Sequence, residues 1–521
     1  MSKTPAPAPA GSASGPAYLS LGDYGVVVGH LRSRLTTYQS VPEPYAVANG
    51  TADFRKAVQA GLNLLPSRYH PAYVNVLARA VEQAQPIVDG DGLLAAFRRR
   101  NVLNQLLEAF RTLAAPIVQL QSERFASELK AYLSVSSNLY QRFLGDEKIR
   151  ALNKDSGLWP ELDPLGFFSS DGGGPYTIVP SREMPLALVS KPVTMVGCLP
   201  LWVLDGHEVG GHGIHSILPD FTVQLAAALE AAVADAFKAG KLTSSVSLAR
   251  GLNRFVHPGE KRRTVTHEDF FKHLAGNYAL ELAADMAGVL NLGPMFANGL
   301  ILYFAATRKS GMLQSSSRVL EKGRRDAHPA DCIRAMAAIE AVRQLGLSNG
   351  ASYVSDLLNR LDAASAGETS FVFSSSDGTC VVTLPHGEVK ALVGVLVEAA
   401  LNRPLKCLAD RSLKQVLTWS DRDEKLVVAM APAMSGAKFA LAEDAEARHV
   451  VAASLLAVEK IAHRQDFKRL TGKIQTNGIT VLKGLYSEQC LLCAVPTYAR
   501  SRRTETSLQD LLQRIRDARG D

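Results

Sequence analysis

Apolar residues recur at three- and four-residue intervals over most of this chain, a spacing that predicts α-helix. In the N-terminal third the pattern covers residues 72–88 and 93–143, with a break expected near Pro116, whose missing N–H interrupts a helical ladder. Residues 17–150 are therefore expected to form a helical domain, a bundle behind an Ala/Pro/Ser/Gly-rich disordered tail over 1–16. Further helices are expected over 220–239, ended by Gly240, over 266–288, over 328–345 and over 353–364. The helix from Thr266 opens with a capping-box-like Thr266–Asp269 pair and is stopped by Gly293-Pro294. His328-Pro329 reads as a device for starting the next helix.

Two stretches break this texture. Residues 151–186 are loop-rich, with Asp171-Gly-Gly-Gly-Pro175 and the aromatics Trp159, Phe167 and Phe168. Extended chain follows over 186–198, where Pro192 points to an edge strand because proline cannot donate to a ladder. Such an edge could take an extended peptide by β-addition. From about residue 368, Phe371-Val-Phe, Asp377-Gly378 and Cys380-Val-Val-Thr-Leu384 spell a β-hairpin with Asp-Gly at its turn. A helix over 389–401, a second hairpin over 416–430, a helix over 445–463 and late strands over 479–482 and 489–495 are expected after it. The fold class that results is mainly α with α+β parts: a helical N-terminal bundle, a core over 151–365 and an α+β domain over 366–521. That last domain carries no motif and would serve substrate recognition, a protein partner or oligomerisation.

Composition narrows the class without naming a function. The chain has 521 residues, enough for two to four domains, with 47% hydrophobic and 21% charged residues, as in ordinary globular proteins. A net charge of +7 is spread over separate clusters (Arg98-Arg-Arg100, Lys261-Arg-Arg263, Arg324-Arg325, Arg502-Arg503), which read as solvated faces, and no nucleic-acid motif accompanies them. Six cysteines in mostly apolar surroundings form no disulfide framework, and Cys490-Leu-Leu-Cys493 lacks a second pair and reads as buried strand. No run of eighteen apolar residues predicts a membrane span, and residues 1–16 lack the apolar core of a signal peptide. A cytoplasmic location is the default expectation.

The chemistry is concentrated in His207-Glu-Val-Gly-Gly-His212. Two imidazoles are the usual protein ligands of zinc, and a carboxylate beside the first is placed to take a proton from water. In the common H-E-x-x-H motif the histidines share a helix face at i and i+4. Here the spacing is i, i+5, which on a regular helix sets the side chains roughly 140° apart. One extra residue bulged out as a π-turn would realign them. Gly210 and Gly211 occupy the stretch that must deform, although each costs up to about 1 kcal/mol in a helix interior. An alternative on a regular helix is Glu208, His212 and His215 at i, i+4 and i+7. Downstream, Glu281 and Asp285 share one helix face at i, i+4, and two like charges there need a cation or a donor. Glu281 is the candidate third metal ligand; Asp285 is the candidate partner for the spare nitrogen of a ligand histidine.

His207-Glu-Val-Gly-Gly-His212 resembles the HExxGH zinc motif of dipeptidyl peptidase III. Glu281-Leu-Ala-Ala-Asp285 resembles the ExxAD third-ligand motif of gluzincins such as the CAAX-prenyl-protease-like enzymes. His328-Pro-Ala-Asp-Cys-Ile-Arg334 is similar to the His-Pro…Arg segment that follows ExxAD in that second group, where the arginine helps polarise the substrate carbonyl. The resemblance spans about residues 187–345 and departs from each family: the first has a different third-ligand segment, the second a four-residue histidine spacing. It implies a gluzincin-like catalytic core, a zinc ion on His207, His212 and Glu281, Glu208 as general base, and a peptide or protein substrate. Tyr278, His328 and Arg334 are the candidates for stabilising the oxyanion. Two alternatives stand beside this reading: a non-haem iron oxygenase using the same two histidines and glutamate, and a non-enzymatic assembly or regulatory protein with a structural or vestigial metal site.

Overall fold

The computed structural model describes residues 24–35, 115–116, 119–120, 122–156, 163–169, 175–178, 187–259, 264–317, 328–365, 367–437 and 439–488. Within them the chain is mainly α-helical with two small three-stranded sheets, in keeping with the expected fold class. The expected tail over 1–16, the helix over 72–88, the first part of that over 93–143, the strand over 489–495 and the Cys490–Cys493 pair lie outside the described residues.

Helices α1 (Tyr24–Leu35), α2 (Ala126–Leu144) and α3 (Glu147–Asn153) precede the first sheet, made of β1 (Leu165–Ser169), β2 (Tyr176–Ile178) and β3 (Leu188–Pro192). Helical residues 205–215 form α4, followed by α5 (Phe221–Lys238), α6 (His267–Leu292) and α7 (Pro294–Thr307). After β4 (Ser316–Ser317) come α8 (Asp331–Leu345), α9 (Gly350–Ser365), β5 (Ser370–Ser374), β6 (Val381–Pro385) and α10 (His386–Asn402). The remaining long helices are α11 (Asp421–Met434), α12 (Ala447–Ile461) and α13 (Phe467–Glu488). No described helix is long and apolar enough to cross a membrane.

Helix α6 is the axis of the molecule. Its sequence is rich in alanine, and Phe270–Leu292 is buried on almost every face, with α4, α5, α8 and α10 against it. The expected capping box starts it: Thr266 Oγ1 accepts from the Asp269 N–H at 3.1 Å, and Asp269 accepts from the Thr266 N–H at 3.0 Å. Gly293, at φ 61°, ends it where a side chain would strike Trp419. Helices from all three expected regions feed one hydrophobic cluster: α1 packs on α7, and α13 packs along α2. The sheet β4-β5-β6 joins residues on both sides of position 366, with β4 parallel to β5.

The Asp-Gly hairpin is present as β5 and β6, with Phe371 paired to Leu384. Five expectations are corrected. Residues 416–430 are not a hairpin but the end of a short helix and most of α11, which opens with a capping box between Ser420 and Asp423 and buries Val427, Met430, Ala431 and Met434 at helical spacing. Residues 479–482 lie inside α13, where Leu470, Ile474, Leu482 and Leu485 face the core; a β-branched run mimicked a strand, and packing on α2 overrode it. Strand β3 is central in its sheet (order β1-β3-β2), with Pro192 at its last position, so it is no free edge. Pro116 is itself helical, and among the described residues of this stretch the turn falls at 123–125. His328-Pro329 precedes rather than starts α8, whose first residue is Asp331.

Candidate metal centre

The residues of α4 do not form a regular helix. Asp205–His207 is α-helical, Glu208–His212 is π-helical and Gly213–His215 returns to α. This extra residue in one turn brings His207 and His212 edge to face, with ring centroids 4.6 Å apart at 89°. Side chains from other elements brace the irregular turn: Thr177 Oγ1 donates to the Glu208 carbonyl at 3.0 Å, and the Tyr140 hydroxyl donates to that of Gly213 at 3.2 Å. At its start, the Lys191 ammonium of β3 donates to Asp205 Oδ1 at 2.7 Å, both side chains being fully buried beneath Tyr132 and Trp202. The lone lysine in an apolar strand was the sequence signal for that anchor, and it was missed.

The glycines have a second physical reason besides deformability. A Cβ on Gly211 would lie 2.6 Å from Ala284 Cα, and one on Gly206 would lie 2.9 Å from Gly288 Cα. The turn therefore lies flush on α6, backbone against backbone, and this closeness is what lets short ligand side chains meet across the two helices.

Glu281 of α6 faces both histidines. Its Oε1 is 3.3 Å from His212 Nε2 and its Oε2 is 3.6 Å from His207 Nε2. Neighbouring donors on a tetrahedral zinc with bonds of about 2.0–2.1 Å stand roughly 3.3–3.4 Å apart, so the spacing fits such an ion. One donor atom from each of the three residues lies within 4.8 Å of the others. Glu281 Oε2 is buried and accepts no hydrogen bond from a described residue, which leaves it available to a cation. The alternative set of Glu208, His212 and His215 loses its basis, because the π-turn breaks the i, i+4, i+7 register. His215 is buried and stacks on Phe221 with centroids 4.3 Å apart.

Asp285, one turn beyond Glu281, accepts from His207 Nδ1 at 2.8 Å, which turns Nε2 toward the centre. Arg334 of α8 grips the same carboxylate through two bonds, Nε to Oδ2 at 2.9 Å and Nη2 to Oδ1 at 2.7 Å. Its Nη1 is 3.6 Å from Glu281 Oε2 and Nη2 is 3.1 Å from His207 Nδ1. Arg334 is thus buried, with its guanidinium held by the carboxylate that also accepts from His207. Tyr278 is buried too, and its hydroxyl lies beside Ser317 without a hydrogen bond to the ligand cluster among the described residues. His328 is more than half exposed, yet its Nε2 comes to 3.6 Å from Glu281 Oε2. Sequence reasoning also missed Tyr303, on the apolar helix α7. Its phenol lies within electrostatic reach of Glu208 and Arg334, and burial raises its pKa.

Electrostatics divide the acidic and basic groups by task. Burial, reinforced by Arg334, lowers His207 to about 4, so the imidazole is neutral and its lone pair free. Glu281 and Asp285 are held below the ordinary carboxylate range: burial opposes this, but the histidines and Arg334 outweigh it. His212 is raised, the Glu281 carboxylate outweighing the effect of burial. Glu208 goes the other way. Its carboxylate, 4.0 Å from His207 Nε2, is pushed up to about 7 by burial, the proximity of Glu281 adding to the shift. Glu281 and Glu208, brought together from two helices, thus differ, the first kept ionised and the second able to take and give a proton near neutral pH.

Scans of the chain against protein-family models, curated proteins and solved structures found no match.

Proposed function

We propose that this protein is a zinc-dependent peptidase that hydrolyses peptide bonds in a peptide or protein substrate. The observation that carries the reading is the π-turn, which sets two neutral-capable imidazoles and Glu281 at tetrahedral donor spacing with Glu208 beside them. His207, His212 and Glu281 would hold a zinc ion, which would supply Lewis acidity to a water and to the scissile carbonyl. Glu208 accepts the proton of that water and hands it to the leaving amine, a task suited to a carboxyl whose pKa sits near 7. Asp285 keeps the proton of His207 on Nδ1, and Arg334 keeps Asp285 in place. The oxygenase alternative shares the ligand set but gives Glu208 no task.

The test is Glu208→Gln in the zinc-loaded protein, assayed against a mixed peptide library by mass spectrometry. Zinc content should stay at wild-type level while cleavage falls by about 10²–10⁴. Cleavage undiminished at equal zinc content removes Glu208 from the mechanism. Wild-type zinc content in His212→Ala rejects the ligand set.

A further inference from the structure

His328 reaches Glu281 from outside the two helices that carry the ligand cluster, while the donor atoms within 4.8 Å of one another are those of His207, His212 and Glu281. Its Nε2 stands 3.6 Å from Glu281 Oε2, the distance at which His207 Nε2 stands from the same oxygen. Both separations approach the roughly 3.3–3.4 Å edge between neighbouring donors on a tetrahedral zinc. The main chain behind the imidazole is fixed. Ser317 Oγ donates to the His328 carbonyl at 2.8 Å, Ser317 is itself held by parallel pairing with Phe373, and the next residue, Pro329, is buried. The imidazole, in contrast, is 54% exposed, so it can swing without disturbing packed neighbours.

Structural zinc sites are closed by four protein ligands, whereas catalytic ones keep a position open. An anchored residue with a loose imidazole at the mouth of a three-ligand site falls between these cases. Resting on the zinc assignment above, we propose that His328 is a displaceable fourth metal ligand that closes the centre in the resting protein and yields to an incoming donor. Ordering an exposed side chain opposes the contact, which keeps it weak enough to exchange. The centre is then self-gated: a substrate carbonyl or an inhibitor has to compete with the imidazole, and its apparent affinity falls in proportion to the closed fraction.

X-ray absorption at the zinc edge, on the full-length zinc-loaded protein, counts the imidazoles directly. The expected result is three in the wild type and two in His328→Ala, with circular dichroism of the variant unchanged. If the closed form holds about nine-tenths of the molecules, acetohydroxamate, a zinc-chelating probe, should bind His328→Ala about tenfold more tightly than wild type. Two imidazoles in both proteins at full zinc content would overturn the role of His328 and leave the three-ligand assignment standing. Failure of both proteins to retain zinc would overturn that assignment, and this inference with it.

Discussion

An alanine at position 211 has no room for its methyl group. The ideal Cβ would stand 2.6 Å from Ala284 Cα, 2.7 Å from Ala284 Cβ and 3.1 Å from the Ala284 carbonyl oxygen. Packed carbon atoms meet at about 3.5–4.0 Å, so α4 and α6 have to part by about 1 Å. Two of the three obstacles are backbone atoms, and no rotamer change relieves them. Helix propensity favours the substitution by up to about 1 kcal/mol, whereas overpacking a tight contact costs about 1–3 kcal/mol. A net loss of about 1–2 kcal/mol in urea denaturation is expected. Gly211 adjoins His212 and Ala284 lies between Glu281 and Asp285, so the same movement widens the 3.3 Å gap between His212 and Glu281. Zinc affinity, measured by competition with a chromophoric chelator, should fall about 10–100-fold, the scale found when the supports of a metal ligand are disturbed. Adding Ala284→Gly removes only the 2.7 Å contact and should restore part of the loss. Gly394→Ala, in α10 with nothing within 4 Å of its ideal Cβ, should stabilise by about 0.4–1 kcal/mol and leave zinc binding alone. Wild-type stability together with wild-type zinc affinity in Gly211→Ala would refute the close-approach argument.

Asp285→Asn keeps the shape of the side chain but strips the buried Arg334 of its paired charge. It should destabilise the fold by about 3 kcal/mol and weaken zinc binding about 10–100-fold, and unchanged thermal stability and metal content would contradict the clamp. Asp146 caps α3 by accepting from the Lys148 and Ile149 N–H groups and pairs through two bonds with Arg411, which holds its carboxyl below the usual range. A lowered folded pKa means that this stabilisation is present above the unfolded value of about 3.9 and is lost as pH falls through the folded one. Asp146→Ala should therefore cost about 1–2 kcal/mol at neutral pH and close to nothing in strong acid; a pH-independent difference between the two denaturation curves would exclude the linkage.

Much of the candidate site was legible because its determinants are local. The five-residue histidine spacing cannot chelate on a regular helix, which forces a choice between a π-turn and another ligand set, and the π-turn is what the chain adopts. The capping box at Thr266, the stop at Gly293-Pro294 and the Asp-Gly hairpin likewise depend on residues a few positions apart. Where two local signals compete, tertiary packing favours the helical one. Ser420-Asp-Arg-Asp423 announces a helix, while the β-branched residues around it predict a hairpin. The Ile479-Thr-Val-Leu482 run hid the helical spacing of α13.

By itself, the sequence determined the helical periodicity, the caps, the first hairpin and the pairing of an irregular histidine motif with an acidic helix face, since each follows from covalent spacing and backbone sterics. Only the tertiary structure decided that β3 is central rather than an edge, because strand order depends on partners far along the chain. Only it could assign Arg334 to Asp285, Lys191 to Asp205 and His328 to the mouth of the centre, for these contacts join residues 49, 14 and 47 positions apart. Gly211 shows the difference most sharply. On the chain it reads as a weak point in a helix, whereas in the fold it is a place where two backbones touch, and a missing side chain matters only once the atom it would strike is in place.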